Sequence, residues 1–390
     1  MPREILFLFN HDAPHQVAHT ATIARALVEL KPSQRVTCAT GTPAIRFHLE
    51  SILGAETARA IDWLNIALPP ALEAVLEPVN RLAPIKRLLR LDHHAARLRQ
   101  ASLLVSTERT CLRLKSRGDA CETRFVHVPH GAGDRAVTYH PGKAGFDAFL
   151  VPGDKAKREL IRHGVAREEQ VRVVGYAKFD AVDPVRRARL FANDNPVFVY
   201  NPHFDPHLSS WYESGPALLD WFAGPAGRGC NLIFAPHIML FRKKLHISPE
   251  YRVAKLCPGI REEWRRAENI LIDVDSVKLT DMTYTLAADA YIGDVSSQVY
   301  EFMINPRPIF FLDRLSPEAR AREGAYPAWQ VGEVARSIAQ LEGVLGNLAG
   351  FDPSRLARQR ELLRDSFSYD PARPASQRAA EALLDLLPPG

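Results

Sequence analysis

Short apolar runs alternate with amphipathic stretches along this chain, a pattern that predicts strands and helices in repeated β-α order. The first run, residues 5–9, leads through a polar turn into a stretch with Ile23, Ala26, Leu27 and Leu30 at helical spacing. Further strands are predicted at 36–39, 102–106, 125–128, 146–151 and 171–174. A charged connector follows, with Asp183-Pro184 and Arg186-Arg187-Ala188-Arg189, and after Asn193-Asp194-Asn195-Pro196 the alternation restarts. Its strands are predicted at 197–200, 231–235, 270–273, 290–293 and 309–312, with helical stretches at 279–288 and 297–304. The expected fold class is α/β, with two doubly wound, Rossmann-like domains facing a central cleft at the carboxyl ends of both sheets, where such sheets bind ligands. The expected domains are 1–182 and 183–390, the last helix being free to pack back on the first.

Residues 70–99 break the alternation. Leu72, Val75, Leu76, Val79, Leu82, Ile85, Leu88, Leu89 and Leu91 are interleaved there with Arg81, Lys86, Arg87, Arg90, Arg97 and Arg99. The favoured reading packs the apolar face on the sheet and leaves the charges in water. The alternative lays a basic amphipathic helix pair on an anionic membrane surface.

Composition narrows the function classes. The chain has 390 residues, 46% hydrophobic and 24% charged, too long for one ordinary domain and balanced like a globular protein. Fifty basic against 45 acidic residues, a net charge of +5, argues against nucleic acid as the main partner and is compatible with anionic small molecules. No apolar run nears the roughly 20 residues needed to span a bilayer, and no signal-peptide pattern opens the chain. Cys38, Cys111, Cys121, Cys230 and Cys257 are scattered and form no CxxC pair, which argues against a disulfide framework or a zinc site and for a reducing, cytoplasmic setting. His15 and His19 share the i, i+4 spacing of metal ligands but lack a carboxylate in the same motif, so no metal is expected.

The candidate chemistry sits in polar loops that follow buried strands. His130-Gly131 follows 125–128; imidazole titrates near neutral pH and is a candidate general base, and Gly131 lets backbone N–H groups approach a ligand. His237 follows 231–235, placed to donate to a phosphate or stabilise a departing diphosphate. His203 and Asp205 follow 197–200, and Arg135 follows His130; these are candidate substrate contacts. The run Asp294-Val295-Ser296-Ser297 follows 290–293 and opens a helix. Ser296 or Ser297 would cap it, its free N–H groups favour an anion, and Glu301 one turn on could accept from ribose hydroxyls. Taken singly, each has a plain structural reading as a turn, cap or strand-end residue. Their coincidence at the same ends of both sheets argues for a site.

In order and spacing these loops resemble the CDP-glycerol glycerophosphotransferase family, of the teichoic-acid polymerase and primase type, built on the GT-B fold. His130-Gly131 resembles the family's His-Gly motif, and Gly175-Tyr176-Ala177-Lys178-Phe179-Asp180 its Gly-Tyr-Pro-Arg-x-Asp segment. Residues 197–202 are similar to its Tyr-x-Pro-Thr-Trp loop, and His237 to its second histidine. Asp294-Val295-Ser296-Ser297, Glu301 and Arg307-Pro308 resemble its Asp-Tyr-Ser-Ser, acidic residue and Lys/Arg-Pro. The tail Ala375-Ser376-Gln377-Arg378 resembles its closing helix. Departures fall at the ligand contacts: Pro129 stands where the family has Trp, Ala132-Gly133-Asp134-Arg135 replaces Thr-Pro-Leu-Lys, Pro236-His237 reverses His-Pro, and His203-Phe204-Asp205 replaces Thr-Trp-Arg.

The resemblance implies transfer of glycerol phosphate, or a related polyol phosphate, from a CDP-linked donor to a hydroxyl of a cell-envelope glycan or lipid-linked acceptor, with release of CMP. His130 would deprotonate the acceptor; His237, Asp294, Ser296 and Ser297 would hold the diphosphate and Glu301 the ribose, with no cofactor required. The setting would be cytoplasmic or peripheral on the inner face of the cell membrane. Two alternatives stay open: a GT-B glycosyltransferase using a UDP- or CMP-sugar in surface polysaccharide synthesis, and a nucleotide-binding homologue without catalysis.

Overall fold

The computed structural model describes residues 3–11, 16–80, 85–116, 121–131, 139–248, 251–313 and 327–388. They form two compact units, the first comprising Met1–Asp183 with Arg364–Gly390 and the second Pro184–Leu363.

The first unit carries seven described strands: β1 (Glu4–Phe9), β2 (Arg35–Thr40), β3 (Asp62–Asn65), β4 (Leu103–Ser106), β5 (Arg124–His127), β6 (Ala148–Val151) and β7 (Val171–Val173). They pair in the order β3-β2-β1-β4-β5-β6-β7, all parallel. Burial explains why the central runs are apolar at every position. Ile5, Phe7 and Phe9 pack on one face with Ile23 and Leu27 of α1 (Ala18–Leu30) and Leu49 of α2 (Pro43–Ala60). Leu6 and Leu8 pack on the other face with Leu98, Phe149 and Leu160. A sheet covered on both sides has no solvated face on which to alternate. Strand β3 departs from this. Its residues run from exposed to partly buried at the sheet edge, so it carries no apolar signature, and no strand was expected there.

Residues 70–99 fold as α3 (Pro70–Asn80), α4 (Ile85–His93) and α5 (Ala95–Leu98); Leu91 and Leu98 pack on the sheet as expected, but the rest departs from the expected burial. Leu72, Val75 and Val79 are exposed, Val75 at 72%, whereas Lys86 and Arg90 are buried. The physical reason is charge pairing. Glu73 of α3 lies 2.9 Å from Lys86 and 2.8 Å from Arg90, and Glu77 lies 2.5 Å from Lys86. Arg87 and Arg97 are likewise spoken for, by Glu108 at 2.8 Å and Glu4 at 2.6 Å. These cations serve intramolecular pairs. Helix α6 (Asp154–Arg162) follows β6.

The second unit repeats the plan. Its strands are β8 (Val197–Asn201), β9 (Asn231–Phe234), β10 (Leu245–Ser248), β11 (Val253–Leu256), β12 (Ile270–Ile272), β13 (Ala290–Gly293), β14 (Ile309–Leu312) and β15 (Glu333–Ala335). The parallel sheet runs β12-β9-β8-β13-β14-β15, and β10 pairs with β11 as a separate antiparallel ribbon. Phe198, Tyr200, Leu232, Phe234 and Ile292 bury one face against Leu218, Leu219 and Phe222 of α7 (Gly215–Ala223). The helices that follow are α8 (Glu262–Arg266), α9 (Thr283–Ala287), α10 (Ser297–Phe302), α11 (Ile338–Leu345), α12 (Pro353–Phe367) and α13 (Ala375–Leu386), the last packing in the first unit's core through Ala379 and Leu383. The expected 279–288 helix is shorter because Met282 sits in the left-handed region at φ 69°, which breaks the helical ladder.

Both sheets reverse their strand order between the first strand and the fourth large parallel strand of each unit: β1 beside β4, and β8 beside β13. Ligand sites of doubly wound sheets lie outside the carboxyl ends at this reversal.

Candidate functional site

At the reversal in the second unit, Gly293 ends β13 against β8. A Cβ there would stand 2.6 Å from the Asn201 carbonyl oxygen, so only glycine lets the two strand ends approach. Asp294 follows, 3% exposed. Its carboxylate accepts from the His203 N–H at 2.7 Å and the Ser210 N–H at 3.0 Å, which ties the loop after β8 to the end of β13. Burial pushes this carboxyl up to about 7, against the backbone donors that favour its charged form. Both of its oxygens are engaged inside the fold.

That tether sets two imidazoles. Nδ1 of His203 accepts the Asp205 N–H at 3.0 Å, and Nδ1 of His237 accepts the Met239 N–H at 3.2 Å. In the neutral rings the proton must then sit on Nε2; His203 is buried at 2% exposure, and His237 is half-buried. Their ring centroids are 5.2 Å apart, with Phe204 4.7 Å from His237. Asp205 supports the loop by accepting from the His207 N–H at 2.9 Å and the Ser248 hydroxyl at 3.1 Å. Ser296 caps α10 by accepting the Gln298 N–H at 3.3 Å, Ser297 is exposed, and Glu301 is buried at 4%. Arg307 braces this region from behind, donating to the carbonyls of Thr285 at 3.0 Å and Phe302 at 3.1 Å.

Sequence reasoning passed over Asn201. Its amide donates to Ala235 O at 2.5 Å, and its Oδ1 lies 3.5 Å from the Ser296 hydroxyl and 3.4 Å from the Tyr291 hydroxyl. One side chain thus joins the ends of β8, β9 and β13. An asparagine closing an apolar strand just before a proline was the available signal.

In the first unit, His130 follows β5 with an exposed edge. Its Nδ1 faces the Thr107 carbonyl at 3.3 Å, which makes it the donor and leaves the lone pair on Nε2. Crowding by the protein lowers its pKa below the ordinary histidine value, with Lys143 adding to the effect. His19 stands edge-on at 6.4 Å and Tyr176 is packed against His19 at 5.3 Å. Gly131 is half-buried beside His130. Arg135 and residues 132–134 lie outside the described residues, as does His15. Among the described residues, no three histidine, cysteine or acidic side chains gather as metal ligands. No described helix is long and apolar enough to cross a membrane.

The structure therefore brings His203, Asp205, His237, Asp294 and Ser296 together at one sheet edge in the second unit, with His130 and Gly131 at the corresponding edge of the first.

Two parallel sheets of the same strand order, joined in one chain, define the GT-B fold, and solved structures share it along the full length. The wall teichoic acid polymerase TagF aligns with TM-score 0.62 at 14% identity, over 99% of this chain and 89% of that one. A variant of that polymerase soaked with CDPG aligns with TM-score 0.59 at 15% identity, over 99% and 88%. The UDP-GlcNAc 2-epimerase from Neisseria meningitidis, bound to UDP-GlcNAc, aligns with TM-score 0.57 at 10% identity, over 98% and 99%. No sequence-family profile matches the chain, and no curated protein sequence matches it. At these identities the likeness establishes the fold.

Proposed function

We propose that this chain is a transferase acting on a nucleotide-linked donor, moving glycerol phosphate or a related polyol phosphate from a CDP-linked donor to a hydroxyl of a cell-envelope glycan or lipid-linked acceptor. One observation carries the reading: at the strand-order reversal of the second unit, His203 and His237 are both held as Nε2–H donors by backbone N–H groups. Two fixed neutral donors at that edge suit the oxygens of a diphosphate, and they need no reorientation as charge develops on the departing phosphate. Asp294 and Asn201 position them. Ser296 and Ser297 add hydroxyls at the same edge.

His130 has the complementary tautomer. With Nδ1–H directed at Thr107 O and a depressed pKa, it is neutral near pH 7 and its Nε2 can take the acceptor's proton. The acceptor oxygen then attacks the phosphorus nearer the glycerol; the bond from that phosphorus to the bridging oxygen breaks, and CMP leaves with the electron pair. The scheme requires no cofactor. The lipid-linked acceptor would place the enzyme at the inner face of the cell membrane, where the exposed Leu72, Val75 and Val79 of α3 could touch lipid.

The likeness to a polymerase soaked with CDPG supports the CDP donor, and the likeness to an epimerase bound to UDP-GlcNAc supports a second reading as a glycosyltransferase using a nucleotide sugar. Thermal unfolding with CDP-glycerol, CMP and UDP-GlcNAc separates them, because a ligand specific to the native state raises Tm by mass action. Phosphorus NMR of the reaction mixture gives the second readout. CMP release from CDP-glycerol supports the proposal; UDP release from a UDP-sugar, with CDP-glycerol inert, overturns it in favour of the sugar donor.

A further inference from the structure

In the ribbon of β10 and β11 the polar side chains face the protein and the aliphatic ones face water. An antiparallel pair resting on a core ordinarily alternates the other way. The register sets Leu245 opposite Leu256 and Ile247 opposite Ala254, so these four share one face. Leu245 is 47% exposed, Ile247 61% and Leu256 73%, and Ala254 is exposed with them. His246 and Ser248, on the other face, are buried. Hydrogen bonds fix that orientation. Nε2 of His246 lies 2.8 Å from the Leu240 carbonyl, Ser248 donates to Asp205 at 3.1 Å, and Lys255 donates to Glu213 at 2.7 Å. The aliphatic face is thus held in water with no polar residue in it, and a contiguous exposed apolar surface marks a place of contact.

The charge around it narrows the partner. Arg242, Lys243 and Lys244 run directly into β10 and Arg252 leads into β11; all four are exposed, and no described carboxylate pairs with them. From 242 to 257 the chain carries five lysines and arginines against one acid, Glu250. The exposed aliphatics of α3 differ here, because the neighbouring Lys86 and Arg90 are paired with Glu73. Protein interfaces favour aromatic residues and disfavour lysine, the reverse of this surface. A second copy would bring like charges together, and aliphatic side chains offer nothing to nucleic acid beyond its phosphates. The interface of a bilayer takes both parts: leucine and isoleucine enter the acyl boundary while lysine and arginine meet anionic headgroups.

We propose that the β10–β11 ribbon seats the second unit on a bilayer of anionic lipid, with Leu245, Ile247 and Leu256 entering the headgroup–acyl boundary and Arg242, Lys243, Lys244 and Arg252 pairing with lipid phosphates. The ribbon is braced to the loop after β8 by the Ser248–Asp205 bond and by Tyr251, stacked on His207 at 3.7 Å between centroids. Seating therefore holds that loop near the lipid, where a lipid-linked hydroxyl arrives. This last step rests on the transferase reading; the lipid contact does not.

The test is cosedimentation of the full chain with vesicles of phosphatidylcholine alone and of phosphatidylcholine with phosphatidylglycerol, followed by amide hydrogen exchange on the bound protein. Binding is expected only to the anionic vesicles, to weaken as salt is raised, and to slow exchange across 242–257. The double variant Lys243→Gln, Lys244→Gln should weaken it about tenfold, and Ile247→Ser with Leu256→Ser by a similar factor. All four positions are exposed, so Tm of the free protein should hold in both variants. Equal binding to neutral vesicles overturns the headgroup contact. No binding to either vesicle, or binding that both double variants keep, overturns the ribbon as the docking surface. Self-association of the wild type that Leu256→Ser abolishes, with vesicles ignored, would overturn it in favour of an interface between copies. Failure here leaves CMP release from CDP-glycerol standing, and an inert CDP-glycerol leaves vesicle binding standing.

Discussion

The two units share a strand order and differ in how their histidines are wired. In the second unit, Nδ1 of both His203 and His237 accepts a backbone N–H, so each ring is a donor at Nε2. In the first unit, His130 directs Nδ1–H at the Thr107 carbonyl and offers a lone pair. One edge carries ring N–H donors, the other a ring acceptor. Identical topology thus supports opposite chemistry because the tautomer of a histidine is set by the single group that its other nitrogen meets.

The sharpest way to break this contrast is His130→Ala. If His130 is the base, turnover should fall about 10²–10⁴-fold while the donor still raises Tm, and near-normal turnover would remove it from the role. Wild-type kcat/KM should hold down to below about pH 6.5, because the depressed pKa keeps the base neutral there.

Next in size is Asp294→Ala. It leaves the His203 and Ser210 N–H groups without their acceptor, at about 1–3 kcal/mol each, and should lower the unfolding free energy and loosen the 202–210 loop. The sign of the pH effect is set by the raised pKa. Stability present below the unfolded aspartate value is lost as pH climbs toward about 7, and the variant should lack this decline. Denaturant unfolding at several pH values reads both; an unchanged profile would mean that Asp294 does not hold the edge.

The smallest effect is expected for His237→Phe, which keeps the ring's bulk but removes the donor. Donor affinity should drop about tenfold with Tm of the free protein little changed. A variant that binds donor normally would remove His237 from the diphosphate and leave His203 alone there.

Much of the fold was legible because its signal is local. A parallel strand covered on both faces must be apolar at every position, as 5–9 and 290–293 are, and the polar loops after such strands mark the sheet edges. Edge strands escaped for the same reason: β3 and β15 are partly exposed and carry no continuous apolar run. Residues 70–99 are helical and bury Leu91 and Leu98 as their spacing predicts, yet Lys86 and Arg90 are buried too, because periodicity reports which side chains share a face and not whether a partner waits to neutralise them. Glu73 and Glu77 are that partner for Lys86 and Arg90.

By itself, then, the sequence determined the two α/β units, most of their central strands and the loops that carry His130, His203, His237 and Asp294, since each depends on residues adjacent in the chain. Only the tertiary structure decided which nitrogen of each imidazole holds its proton, and that Asp294 faces inward. Those outcomes depend on contacts between segments distant in sequence, and burial and hydrogen bonding are properties of the packed chain rather than of any window along it.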